Sequence, residues 1–367
     1  MIVISGINLF QGGPLSIYYD CLKTIRELGF NQKYRIVAFV HKKELFIDYQ
    51  DVAEFIELPK SRKSYLCRFY YEYYYFKKLS KREHIELWIS LHDITPRVIA
   101  DKLYTYCHNP SPFYKLSIDE LKYGFKNYLF MNFYKLIYKV NIKNATGIIV
   151  QQDWMRQEFL KMYPVKQVVV ARPNINITFP KSPLKIQNNG HLPVFIFASL
   201  PRFFKNFDVI CEACKELNSK GYNNRYKVLF TIDGSENRYS RDLRIKYGNI
   251  NEINWLGLLS REKVFDLYNE ADCLIFPSKL ETWGLPISEF KMTGKAMLLA
   301  NLPYAYETLG SYEKVSFFNP DNHTTLAKQM QEIIDDSPQF EGNIEKKVSQ
   351  PYAKDWKELL LFLFNSK

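Results

Sequence analysis

Two glutamates eight residues apart, Glu281 and Glu289, mark the stretch Phe276–Glu289, FPSKLETWGLPISE. An apolar run ends at Phe276, and a helical pattern opens at Leu285-Pro286. Proline suits a first helical turn, where its missing N–H has no helical partner. Free N–H groups at a helix start attract anions, and Gly284 lets a bulky phosphate approach the backbone. The spacing puts Glu281 in the loop and Glu289 about one turn inside the helix. Carboxylates flanking one helix start suit a ligand with hydroxyls on both sides of a diphosphate. Sugar hydroxyls would meet one and ribose hydroxyls the other. A second stretch, Ala198–Asn206, reads ASLPRFFKN and follows another apolar run. Its cations, Arg202 and Lys205, suit a diphosphate leaving group.

The first half carries weaker signals. Gly12-Gly13 follow the opening apolar run, but no GxGxxG is present, so this is not a dinucleotide fingerprint. His92 in SLHDITP and His108 in YCHNPSPF each follow a strand-like run. His108 precedes Asn109-Pro110; His92, with Asp93, suits an acceptor pocket. Cys211 and Cys214 form a CxxC with no second pair to complete a zinc site, and they read as ordinary helix thiols.

Strands must hold these loops. In the first half they are expected at Ile2–Ile4, Tyr34–Val40, Leu87–Ser90, Leu103–Tyr106, Gly147–Gln151 and Gln167–Ala171. A glycine-bearing loop, Gly6–Pro14, leads to a helix over Leu15–Leu28. In the second half strands are expected at Val194–Ala198, Lys227–Ile232, Ile253–Leu256, Cys273–Phe276, Ala296–Ala300 and Val315–Phe318. Strands alternating with helical segments predict parallel, doubly wound α/β sheets. Pro180, Pro183, Asn188-Asn189-Gly190 and Pro193 punctuate a polar stretch that reads as a linker. The expected domains are 1–180 and 194–350, with 181–193 between them. A last helix over 352–367 would pack back on the first domain. Strand ends of both domains would face a central cleft.

The E-x7-E stretch resembles the donor motif of retaining GT-B glycosyltransferases, family 4 (glycosyl transferases group 1). The family pattern often reads P-S-x-x-E-G-F-G-L-P-x-x-E. Pro277, Ser278, Glu281, Gly284, Leu285, Pro286 and Glu289 stand in register, and Thr282-Trp283 replaces Gly-Phe. The resemblance implies two Rossmann-like domains and a nucleotide-diphosphate sugar as donor, with no metal or other cofactor required. It implies Glu281, His108 and Lys205 as catalytic residues. It puts Arg202, Lys205, Thr282, Trp283, Gly284, Leu285, Glu289, Gly257, Gly12 and Gly13 around the donor. His92, His108 and Asn109 fall on the acceptor side. In the family the arginine stands five residues before the lysine; here it stands three before, so Lys205 transfers more securely than Arg202. Asn174, Asp233-Gly234 and Trp356 are further echoes.

The chain has 367 residues and a formal net charge of +11. Residues 1–180 hold 26 Lys and Arg against 16 Asp and Glu, whereas the remainder holds 24 against 23. The segment Lys60–Arg82 concentrates eight cations and eight aromatics around one acid. A helix with aromatic and basic faces suits an anionic membrane surface; a core helix with a solvated basic face is the plainer reading. No apolar run approaches the ~20 residues of a membrane span, and no basic n-region suggests a secretory signal. No nucleic-acid motif accompanies the charge. These features lead to a cytoplasmic enzyme, soluble or peripheral at the inner face of a bacterial plasma membrane. Its acceptor would be a glycan or lipid-linked glycan of a surface polysaccharide. A nucleotide-sugar epimerase on the same fold is one alternative, and an inactive glycan- or membrane-binding relative is another.

Overall fold

The computed structural model describes residues 1–116, 120–174 and 191–365. Most of the expected linker, 181–190, lies outside the described residues.

Fourteen strands form among the described residues. In chain order they are β1 (Ile2–Gly6), β2 (Ile36–Val40), β3 (Glu54–Glu57), β4 (Leu87–Ser90), β5 (Lys102–Tyr106), β6 (Gly147–Val150) and β7 (Val168–Ala171). Then follow β8 (Val194–Phe197), β9 (Lys227–Phe230), β10 (Ile253–Trp255), β11 (Cys273–Phe276), β12 (Ala296–Ala300), β13 (Val315–Phe318) and β14 (Tyr352–Ala353). Every pairing among these strands is parallel. Central strands such as IVISG and CLIF are apolar and buried along their length, because a parallel sheet is covered on both faces.

The chain divides into two compact units. The first comprises Met1–Tyr114, Leu129–Asn174 and Val348–Lys367; the second comprises Lys115–Tyr128 and Ile175–Lys347. Residues 115–128, expected in the first domain, group with the second. There Lys279 Nζ reaches Glu120 Oε1 at 3.4 Å, and the Tyr123 ring meets Tyr239 at 5.1 Å.

The first sheet runs β14-β7-β6-β5-β4-β1-β2-β3, and the second β10-β9-β8-β11-β12-β13. Strand order therefore reverses direction between β1 and β4 in one sheet and between β8 and β11 in the other. Loops leaving such neighbouring strands diverge and leave a crevice at their C-terminal ends.

Three sequence expectations need correction. The first helix begins at Gly12 rather than Leu15, so the glycine pair opens the helix instead of preceding it. Tyr352–Ala353 is strand β14, paired with β7, and the last helix spans Trp356–Asn365. Trp356, Leu359, Leu360 and Leu363 of that helix enter the core around Tyr18 and Leu22. Lys102 Nζ donates to the Phe364 carbonyl at 2.6 Å, satisfying the helix's last turn. Third, Lys60–Arg82 is a broken helical run: short turns at Pro59–Arg62 and Tyr65–Phe69, a wider π-turn at Tyr70–Tyr75, and Phe76–Ser80. Its buried side is not purely apolar, since Arg68 and Glu72 point inward.

Candidate functional site

The second sheet's reversal point brings together the two stretches singled out by their charges. After β8 the chain turns through Phe203–Lys205, and after β11 it runs through Pro277–Gly284 into the helix Leu285–Lys291. Lys205 Nζ donates to Glu281 Oε1 in a close ion pair, with side chains 16% and 13% exposed. The surrounding loop is braced. Lys279 N donates to Phe204 O at 2.8 Å, and the buried Tyr304 hydroxyl donates to Ser278 O at 2.6 Å. Asn206 joins the two loops: its Nδ2 donates to Pro277 O at 3.3 Å and to Pro320 O at 2.7 Å. It holds a left-handed φ of 62°, a conformation asparagine tolerates better than most residues.

Gly284 caps the helix at φ 86°. A Cβ there would be strained and would touch Ile287, Phe276 and Tyr304 at 3.4–3.6 Å. The helix is only seven residues long, so its macrodipole is modest and the side chains carry most of any anion recognition. Leu285 is exposed, and Glu289 is buried behind it. Burial pushes the Glu289 carboxyl above its ordinary value, and the Arg261 guanidinium, 3.0 Å away, opposes that shift.

Trp283 departs from expectation. Its side chain is buried; the indole N–H donates to Ser288 Oγ at 3.0 Å and its carbonyl accepts from Thr308. The indole is committed to the domain interior and presents no face to a donor. Thr282 is half-buried beside it, and Arg202 is exposed with its guanidinium 5.9 Å from the Phe204 ring. Gly257, after β10, lies against the Asp233-Gly234 turn: a Cβ there would meet Asp233 Oδ2 at 3.1 Å.

The first unit holds the remaining candidates. A Cβ on Gly12 or Gly13 would meet nothing within 4 Å, so the space beside them is open. His92 follows β4 and is completely buried. Its Nδ1 is 2.9 Å from Ser5 O and its Nε2 contacts the Glu72 carboxylate. Both ring nitrogens are occupied and the ring has no solvent face, so the expectation of an acceptor-pocket role is corrected to a structural one. Asp93, at φ 71°, accepts from His108 N at 2.6 Å, Asn109 N at 3.1 Å and the Tyr138 hydroxyl at 3.0 Å. That carboxylate fixes the His108-Asn109 turn. The His108 ring stacks on Tyr106 at 4.7 Å and its Nε2 lies 2.8 Å from Leu91 O. Burial lowers its pKa, against the pull of Asp93.

Asn206 and Arg261 have no place in the sequence reading as functional positions: Asn206 ends the quoted ASLPRFFKN stretch, and Arg261 has no spacing signal of its own. Asp93, expected beside His92 in an acceptor pocket, instead braces the His108-Asn109 turn. Cys211 and Cys214 are buried free thiols in the helix Phe207–Ser219. No group of three or more His, Cys, Asp or Glu side chains that could hold a metal ion occurs among the described residues.

Residues 180–350 match the family described as glycosyl transferases group 1. This stretch is a group 1 glycosyltransferase domain. The whole chain has the GT-B fold, as three solved structures show. Sucrose-phosphate synthase from Thermosynechococcus elongatus superposes with a TM-score of 0.61 at 14% identity, covering 92% of this chain and 90% of its own. WaaG, a glycosyltransferase involved in lipopolysaccharide biosynthesis, gives 0.61 at 13%, with 91% and 90% covered. Alr3699/HepE from Anabaena, in complex with UDP and glucose, gives 0.57 at 14%, with 92% and 90% covered. No curated protein matches the glycosyltransferase in sequence.

Proposed function

We propose that this glycosyltransferase moves a sugar, with retention of configuration, from a nucleoside diphosphate sugar to a glycan or lipid-linked glycan. The observation that carries the proposal is the Lys205–Glu281 pair at the β8/β11 reversal, with Glu289 one turn into the following helix. The UDP and glucose held by HepE support the donor class.

Lys205 and Glu281 neutralise each other. A diphosphate takes Lys205, and Glu281 is released to accept from sugar hydroxyls. As the bond from the anomeric carbon to the diphosphate breaks, positive charge develops on the sugar and negative charge on the leaving group. Lys205, with Arg202 beside it, stabilises that leaving group. The acceptor hydroxyl attacks from the same face, and its proton passes to the departing phosphate oxygen. Glu289 holds the ribose. His108 is proposed on the sugar side and Gly12-Gly13 beside the phosphates.

A thermal-shift screen of nucleoside diphosphates and their sugars tests the donor site, with Glu289→Ala as control. Ligand at ~100 times Kd stabilises by roughly 2.7 kcal/mol. A shift selective for one base and lost in the variant is expected. No shift with any of them would sink the proposal. Donor turnover without any acceptor would favour the epimerase reading instead.

The acceptor is proposed to belong to a bacterial surface polysaccharide reached at an anionic membrane face. No helix among the described residues is long and apolar enough to cross a membrane. Leu66, Tyr70 and Tyr74, four residues apart along one helical row, are 80%, 52% and 59% exposed. Lys60, Arg62, Lys63, Lys78, Lys81 and Arg82 are exposed at either end of that row. Each cation near an anionic surface contributes about 1 kcal/mol. Co-sedimentation with anionic vesicles, lost in Leu66→Glu/Tyr70→Glu, is expected. A parent protein that stays in the supernatant would remove this part of the proposal.

A further inference from the structure

Glu289 is an enclosed carboxylate, and one cationic side chain faces it closely. Arg261 is the first residue of the helix Arg261–Glu270, directly after the capping Ser260. Its Nη2 donates to Glu289 Oε1 at 3.0 Å, and its guanidinium lies 5.3 Å from the Phe265 ring. The two sides of the pair are unequal: Arg261 is 63% exposed and Glu289 only 12%. A carboxylate so enclosed loses solvation and must find a partner or take up a proton. From the same helix, Tyr268 also faces Glu289. Its hydroxyl is buried without a hydrogen-bond partner among the described residues, and burial together with the Glu289 charge keeps it protonated. Among the described residues, Arg261 is therefore the cation that the geometry sets against Glu289.

The exposure of Arg261 decides what the contact is for. An ion pair with one partner in solvent adds little to folding stability, so anchoring the domain is a poor explanation. Its effect falls on Glu289: which oxygen is engaged, and whether the carboxyl stays ionised. We propose that Arg261 is a positioning residue for donor binding. It occupies Oε1, keeps the enclosed carboxylate charged near neutral pH, and turns Oε2 toward the vicinal ribose hydroxyls. This rests on the donor reading above, since the ribose is what Glu289 would hold.

The test compares the parent protein with Arg261→Ala and Arg261→Lys. It measures affinity for the nucleoside diphosphate selected by the screen, as a function of pH, together with kcat and KM. Arg261→Ala should weaken binding and raise KM about 3- to 10-fold, the worth of a charge-assisted hydrogen bond discounted for exposure. The change in kcat should stay within about twofold, the pattern of lost uniform binding. The acid limb of binding should move to higher pH, because Glu289 then protonates more readily. Arg261→Lys should restore the charge and most of that limb. Melting temperature without ligand should fall by no more than a few degrees in Arg261→Ala, the linked cost of the Glu289 shift, and recover in Arg261→Lys, which separates positioning from a fold defect. Binding by Arg261→Ala with unchanged affinity and an unchanged acid limb would overturn the inference and leave the donor reading standing. Failure of the parent protein to bind any nucleoside diphosphate would overturn both.

Discussion

Each unit holds a close pair of a carboxylate and a basic side chain near the reversal point of its sheet, and the two pairs do different work. In the second unit, Lys205 and Glu281 stay 16% and 13% exposed. In the first, Glu72 and His92 are both at 0%. A pair that solvent can reach can exchange its partner for a ligand. A sealed pair cannot do so without unfolding around it. Glu72 also has an oxygen without a partner, as does the Arg68 Nε, among the described residues. Arg68 Nη2 meanwhile donates to the His92 carbonyl at 2.6 Å. The first unit's charges thus brace the strand-end loop, whereas the second unit's charges form the proposed binding surface. Proximity of acid and base is the same in both; access separates function from support.

Removing one member of each pair breaks this comparison most directly. Lys205→Ala should lower kcat by about 10²–10³, the cost of losing one preorganised group that stabilises developing charge. Folding of the variant is checked by its melting temperature. Activity within a factor of a few would show that the leaving group is stabilised elsewhere. Glu72→Ala is the counterpart. It leaves His92 Nε2 buried with a lost partner, at a cost of about 1–3 kcal/mol, while nucleotide affinity should hold. The partial orphaning of Glu72 already present in the native protein moderates the loss. A Glu72→Ala protein that melts normally but fails to bind nucleotide would reverse the roles assigned to the two pairs.

The same contrast explains what the sequence could show. Glu281 and Glu289 belong to one strand–loop–helix, so their relation is a spacing that survives in the linear chain. Lys205 lies on the loop of the neighbouring strand, and its quoted stretch ends in Asn206, the residue that stitches the loops together. Strands such as Cys273–Phe276, Ala296–Ala300 and Val315–Phe318 were read with their observed ends, because buried parallel strands are uninterrupted apolar runs. Strand Leu87–Ser90 of the first unit is read with its observed ends too, but the contacts around its histidines leave no such record. His92 meets Ser5 from 87 positions away and Glu72 from 20, and no periodicity encodes either contact. Strand β3, EFIE at a sheet edge, carries only two apolar residues between glutamates, too short a run to signal a strand. The burial of Trp283, whose indole N–H donates to Ser288, is likewise a contact that no motif position announces.

The smallest effect concerns protons, and its sign differs between the units. His108 is shifted down by burial, so the native state prefers the neutral ring. The unfolded chain, with an ordinary value near 6.5, binds that proton first as pH falls. His108 therefore withdraws stability as pH drops below about 6.5, with a slope of at most about 1.4 kcal/mol per pH unit until its folded pKa is passed. Glu289 is shifted up by burial, so the native state binds its proton before the unfolded chain does. Its contribution to stability grows as pH falls through the raised value toward the ordinary value of about 4.3. Other carboxylates, Glu212 at about 2 among them, add their own acid dependence, so the parent's melting curve alone cannot separate the two. Difference curves can. Subtracting His108→Gln should leave a term that loses stability toward acid, and subtracting Glu289→Gln a term that gains it. Two terms of the same sign would mean that one of these side chains is not enclosed as the structure places it, and the contrast between an open and a sealed site would have to be redrawn at that residue.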